Sequence, residues 1–220
     1  MSLRKKIAGY IDAALLTPTA TPAEVKKFCE YAKKNHIYGV DTNTCYLSLA
    51  KKLLKGSRVK LVAVIGYPLG ATSTEVKAFE AQKAIEYGSD ELDMVMNIGE
   101  FKAKNYKFVE QDIKAVVKAA KGKTVKVIVE TGYLTDDEII IVSKLVKKAG
   151  AQFVKTSSGW GPRGASVKDI ELIRKAVGPK FGAKASGGIK NCADALALIK
   201  AGATRLGTSS PEKVLDTCED

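Results

Sequence analysis

The sequence almost lacks histidine: His36, in KKNHIYG, is the single one among 220 residues. Histidine is the commonest metal ligand and general base. Ser-His-Asp hydrolysis and multi-histidine metal sites are therefore disfavoured, and His36 itself reads as a surface residue at a helix end. Paired cysteine spacing is also lacking. Cys29, Cys45, Cys192 and Cys218 are scattered, which predicts free thiols in a reducing, cytoplasmic compartment and neither a disulfide frame nor a zinc site. Long apolar runs are missing, so no segment is expected to span a membrane. The opening MSLRKKIAGYIDAALL is basic and then apolar, but the apolar run is short and holds Asp12, unlike a signal peptide. Acidic charge is under-represented: 36 Lys and Arg face 24 Asp and Glu, a net +12. The lysines fall at solvent positions of helical patterns, as in KKFCEYAKK and VSKLVKKAG. No arginine-rich block or stacking motif accompanies them, so a solvated basic surface is expected rather than a nucleic-acid face. A small anionic ligand remains compatible with the charge.

What is present is regular alternation. Strand-like runs at 10–16, 37–43, 59–67, 89–97, 124–131, 151–156, 180–186 and 203–210 are each followed by a helical pattern. The helix after the first strand opens with Thr21, Pro22 and Glu24, a strong start signal. Strands alternating with helices imply a parallel sheet. Eight such units imply a closed (β/α)₈ barrel, a TIM barrel in the α/β class, although the chain is short for that fold. No linker or composition break divides the chain, so residues 1–220 read as one domain. The rival is a doubly wound open sheet.

A local repeat fixes the register. In YGSDELD, AGAQFVK and AGATRLG a helix ends in Gly, and five residues later come Asp93, Lys155 and Gly207. Five strand residues cover about 16 Å, roughly one sheet crossing. All three positions therefore land on the C-terminal rim, where barrel active sites sit. Alternation then points Glu91, Lys126 and Arg205 into the barrel as a buried charge network. It also turns Val125, Val127 and Val129 towards the helices and Glu130 inward.

Lys155 and Lys184 end two consecutive strands. An amine that must attack a carbonyl needs a depressed pKa, which a neighbouring cation supplies. The pair thus points to a Schiff-base enzyme, with Asp93 as a rim acid able to relay protons or to pair with a lysine. SGGIK (186–190) and GTSS (207–210) follow strands seven and eight, where glycine backbone and serine donors can cradle an anion, at the usual barrel phosphate position. GWGPRG (159–164) fits GxGxxG, but it contains a proline, and the next strand ends in Lys184 where an acidic ribose ligand would be wanted. A dinucleotide site is accordingly rejected.

ELDMVMNIG, FVKTSSGWG, KASGGI, RLGTSS and GYPLGATSTEVKAFEA together resemble the deoxyribose-phosphate aldolase family, from about Ile7 to Ser210. The resemblance implies a class I aldolase on a (β/α)₈ barrel. Lys155 would be the Schiff-base nucleophile, Lys184 the lysine that depresses its pKa, and Asp93 the acid of the proton relay. It places phosphate on Gly159, Gly187, Gly188, Gly207, Ser209 and Ser210, and Asp12, Asp41 and Trp160 in the substrate pocket. It implies a phosphorylated sugar as substrate, no metal or organic cofactor, and a homodimer. The front of the barrel departs from the family's pattern. IDAALLTP has Ala13, Ala14 and Thr17 where IDHTLLKP is common. VDTNT has Asp41 and Thr44 where VCVNP is common, and Trp160 stands where Phe or Lys is frequent. Three readings of these changes stay open: altered substrate preference, reduced native activity, or engineering. Asp41, a carboxylate beside the lysines, would raise their pKa, the wrong direction for a nucleophile.

Overall fold

The computed structural model describes residues 2–219. Eight parallel strands close into a barrel in the order of the chain: β1 (Ile11–Leu15), β2 (Gly39–Thr42), β3 (Lys60–Ile65), β4 (Glu91–Val95), β5 (Thr124–Ile128), β6 (Phe153–Lys155), β7 (Gly182–Ser186) and β8 (Arg205–Thr208). The closing pair is β1 with β8, where Asp12 lies opposite Gly207. The expected barrel is therefore present and the open sheet is excluded. The strands are rich in β-branched and small residues, as parallel strands covered on both faces must be.

Around the barrel run α1 (Leu3–Ala8), α2 (Pro22–Lys34), α3 (Leu47–Leu53), α4 (Thr74–Glu86), α5 (Ile98–Lys102), α6 (Tyr106–Ala119), α7 (Asp136–Lys148), α8 (Val167–Val177), α9 (Cys192–Lys200) and α10 (Pro211–Asp216). Helix starts follow the sequence signals. Thr21 caps α2 with Glu24 answering it, and Thr135–Glu138 and Ser166–Asp169 repeat that capping box on α7 and α8. Each such cap contributes about 1 kcal/mol. Between barrel and helices lies one apolar core that includes Val125, Val127, Val129, Ile113, Val116, Ile170 and Ile173. The valines of β5 thus face the helices, as alternation requires.

Two short helices, α1 and α5, occupy stretches for which the sequence pattern predicts no element. His36 is exposed just past α2 with positive φ, consistent with its expected place. Among the described residues no helix is long and apolar enough to cross a membrane. The expectation about cysteines is overturned in part: Cys192 and Cys218 form a disulfide, with Cα atoms 5.1 Å apart. Their 26-residue separation matches no motif. The bond arises because Cys192 opens α9, Cys218 follows α10, and these helices pack together, with the Cys192 amide donating to Thr217 Oγ1 at 2.8 Å. Cys29 and Cys45 are free, the first buried and the second exposed. The inference of a reducing compartment from four free thiols loses its basis.

Candidate active site

Lys155 closes β6 and Lys184 lies mid-way along β7, directly opposite it in the sheet register. Both side chains point into the barrel and both are buried. Each Nζ donates to the same carboxylate oxygen, Asp93 Oδ2, at 2.7 Å from Lys155 and 2.8 Å from Lys184. The two nitrogens therefore converge at one mouth of the barrel. Burial pushes the Lys155 pKa down and the Lys184 charge adds to that, against the opposing pull of Asp93 and Asp41. Lys184 goes the other way. Burial alone would lower its pKa, but Asp12, Asp41 and Asp93 outweigh it and hold the ammonium well above the usual lysine range. The pair is thus split into a fixed cation and an amine that gives up its proton more readily, the division a lysine nucleophile needs.

The fixed cation has a defined cage. Asp12, Asp41 and Asp93 bring carboxylate oxygens within 4.8 Å of one another. The centre of that trio, which could otherwise attract a metal ion, holds Lys184 Nζ at 2.6, 2.9 and 2.8 Å. Asp93 accepts a further bond from Lys126 at 2.7 Å through Oδ1. Burial pushes the Asp93 pKa up, yet Lys126, Lys155 and Lys184 outweigh it and keep the carboxyl well below its ordinary value. Asp93 is therefore held ionised, a state in which it accepts hydrogen bonds and has no proton of its own to give.

Beneath this layer the charge network expected from alternation is present. Lys126 meets Glu91 at 2.7 Å, and Arg205 bridges Glu91 at 3.1 Å and Asp12 at 3.0 Å. The Arg205 guanidinium also stacks 3.4 Å from the Tyr38 ring centroid, a cation–π contact. Gly39 makes room here: a Cβ on it would lie 2.7 Å from Asp12 Oδ1.

Above the lysines opens a cavity of about 510 Å³. Lys155, Asp41, Gly159, Trp160, Gly187, Gly188, Gly207, Ser209 and Ser210 all line it, so Lys155 and the expected phosphate loops share one space. Gly187 and Gly188 have φ of +79° and +78°, a consecutive left-handed pair that only glycine adopts without strain. Ala14 and Thr17 are in the wall as well, whereas Ala13 faces the core. The expectation that Asp12 lines the pocket is corrected: it lies below the cavity, fully buried in the Lys184 and Arg205 contacts.

Several lining residues were not anticipated, among them Leu16, Tyr67, Ser158, Lys190 and Lys213. Tyr67 donates to the Ser158 carbonyl at 2.8 Å, and Trp160 donates its amide to Ser158 Oγ at 3.0 Å. Ser158 in turn donates to Glu130 Oε2 from both its amide and its hydroxyl. Glu130 has left-handed backbone, φ +53°, just past the end of β5. That twist breaks the alternation and carries its side chain to the loop after Lys155 instead of down the barrel.

Comparison with known proteins adds an independent line. A model of the DeoC/LacD family aldolase matches residues 8–210. The chain is 50% identical over 221 residues to the deoxyribose-phosphate aldolase of Thermococcus kodakarensis, covering 99% of each. It is 53% identical to that of Carboxydothermus hydrogenoformans over 96% of this chain and 94% of the relative. Among solved structures, the deoxyribose phosphate aldolase of Aeropyrum pernix, described as tetrameric, superimposes with a TM-score of 0.90 at 34% identity, over 97% of this chain and 91% of that one.

Proposed function

The chain belongs to the DeoC/LacD family of aldolases, and from this premise we propose that Lys155 carries its reaction as a Schiff-base nucleophile. The chain is an aldehyde-lyase that reversibly cleaves 2-deoxy-D-ribose 5-phosphate to acetaldehyde and glyceraldehyde 3-phosphate. The Lys155 amine adds to the open-chain aldehyde and water leaves, giving an imine. The imine draws the C2–C3 electron pair towards nitrogen as the C3 hydroxyl loses its proton, and glyceraldehyde 3-phosphate departs. The remaining enamine takes a proton at C2, and water releases acetaldehyde. A water on the cavity side of Lys155 passes these protons, with Asp93, bonded directly to both lysines, orienting the amine, while the glycine and serine loops bearing Gly187, Gly188, Ser209 and Ser210 hold the phosphate.

The observation that carries this reading is the shared Asp93 oxygen. It ties one permanently charged lysine to a second, proton-losing lysine under the same cavity. We read the chain as self-associating into a homodimer, which the exposed Val76, Phe79 and Tyr87 on and beside α4 support.

Borohydride trapping tests the nucleophile. With acetaldehyde and borohydride, the expected result is a reduced two-carbon adduct on the peptide containing Lys155, abolished in Lys155→Ala. An adduct on another lysine would move the nucleophile. No adduct anywhere would make the chain a phosphate-binding barrel without this chemistry.

A further inference from the structure

Asp41 is the cavity residue whose hydrogen bonding is incomplete. It lies on β2 with its side chain inside the barrel, opposite Ala14 on β1 and Val62 on β3. Its Oδ2 accepts from Lys184 at 2.9 Å and stands 3.7 Å from Lys155 Nζ. Its Oδ1 is buried and has no hydrogen-bond partner among the described residues. Asp41 and Lys155 share the cavity wall. A buried carboxylate oxygen without a donor is costly, and a site that keeps one is set to receive a donor from its ligand.

Position selects that donor. A substrate joined to Lys155 has C1 on Nζ, so C2 is the next atom and its substituents occupy the space beside Nζ, where Asp41 stands. A 2-deoxy sugar offers only hydrogens there and leaves Oδ1 unpaired. A sugar that retains its C2 hydroxyl supplies the missing donor. Resting on the Schiff-base reading of Lys155, we propose that the site accepts 2-hydroxylated aldose 5-phosphates, with Asp41 Oδ1 receiving the C2 hydroxyl. In the synthetic direction, glycolaldehyde then replaces acetaldehyde as the aldehyde that forms the enamine.

The chemistry balances without any redox step. The amine and the aldehyde form an imine and release water. The C3 hydroxyl gives its proton to the relay, the C2–C3 pair moves to C2, and glyceraldehyde 3-phosphate leaves behind a C2-hydroxylated enamine. That species takes a proton at C2, and addition of water frees glycolaldehyde and the amine. The Asp41 contact therefore favours the hydroxylated sugar over what the same site would give it without that carboxylate, while the 2-deoxy substrate is still turned over.

The test is a ratio: kcat/KM with glycolaldehyde over kcat/KM with acetaldehyde, both with glyceraldehyde 3-phosphate, with products identified by mass spectrometry. The unmodified chain is expected to form an aldopentose 5-phosphate. The ratio should fall by about tenfold or more in Asp41→Ala and should be partly restored in Asp41→Asn, whose amide oxygen keeps the Lys184 bond while its NH2 donates to the C2 hydroxyl oxygen. Formation of the deoxy product alone, or the same ratio in Asp41→Ala, would overturn the proposal. Should the variants not fold, competitive borohydride trapping on the unmodified chain decides, normalised to the same competition on a free lysine amine. Enrichment of the glycolaldehyde adduct at Lys155 supports the hydroxyl contact, and its depletion refutes it. An acetaldehyde adduct at Lys155 with no effect of Asp41 sinks this inference alone. Absence of any Lys155 adduct sinks the nucleophile as well.

Discussion

On the proposed reading Lys155 loses a proton while sitting among carboxylates, and the charges around it leave that finely balanced. Asp12, Asp41, Glu91 and Asp93 are linked through ion pairs to Lys126, Lys155, Lys184 and Arg205. With Lys155 protonated the cluster is neutral; with Lys155 as free amine it carries one excess negative charge. Burial still drives the Lys155 pKa down, but Asp41 works against it. The same crowding shows on Asp41 itself, whose own pKa burial pushes up to about 6. Replacing Asp41 makes the free-amine state the balanced one, so Asp41→Cys should increase turnover of acetaldehyde with glyceraldehyde 3-phosphate. The sign is fixed: removing a negative charge lowers the pKa of a neighbouring ammonium, and the rising limb of the kcat/KM profile moves to lower pH. A shift of about one unit corresponds to about tenfold more free amine on the acid side of that limb. An unmoved limb, or a lower rate near neutrality, would discard this account.

At the scale of elements, the disulfide joins the two helices that follow the glycine and serine loops of the cavity. α9 begins after Gly187 and Gly188, and α10 begins at Pro211, directly after Ser210. Linking Cys192 to Cys218 closes a loop with a sequence separation of 26, for which chain entropy gives roughly 3 kcal/mol of stabilisation. Urea unfolding with and without reductant should differ by about that amount. Cys192→Ser should match the reduced protein and show no further response to reductant; identical curves would mean that the bond does not form in solution. Nothing in the sequence announced this pair, since proximity comes from helix packing and not from cysteine spacing. α1 and α5 escaped for a related reason. They span six and five residues, too few for a helical period to show. The strands were legible because all but the last are followed by a helix of about two turns or more. The rim residues were legible because strand spacing carries a helix-ending glycine to a fixed depth. Tyr67, Ser158 and Glu130 were not: Tyr67 reaches Ser158 across 91 positions, and Glu130 turns aside through a left-handed backbone that alternation cannot foresee.

At the scale of the whole molecule, the buried charges tie the closure of the barrel to pH. Asp12 on β1 accepts from Lys184 on β7 and from Arg205 on β8, so it spans the seam where the first and last strands meet. Burial alone would raise its pKa, but Lys184, Lys126 and Arg205 outweigh burial and bring it down to about 2. A carboxyl with a depressed folded-state pKa contributes stability above its unfolded value, near 4, and that contribution is lost as pH falls towards 2. For a shift of this size the loss is on the order of 2 kcal/mol. Asp41 has the opposite sign. Its folded-state pKa is raised, so the folded chain holds that proton more tightly than the unfolded chain does, and its contribution turns unfavourable as pH rises through about 6. Unfolding free energies measured by urea titration across this range should therefore show two separable effects. Asp12→Asn should flatten the acid-side fall between about pH 4 and pH 2, and it should weaken the chain near neutrality because Lys184 and Arg205 lose a buried partner. Asp41→Asn should remove the decline near pH 6 and leave the acid-side fall in place. An Asp12→Asn protein with the same acid-side slope as the unmodified chain would show that the seam is held by the backbone pairing of β1 with β8 alone.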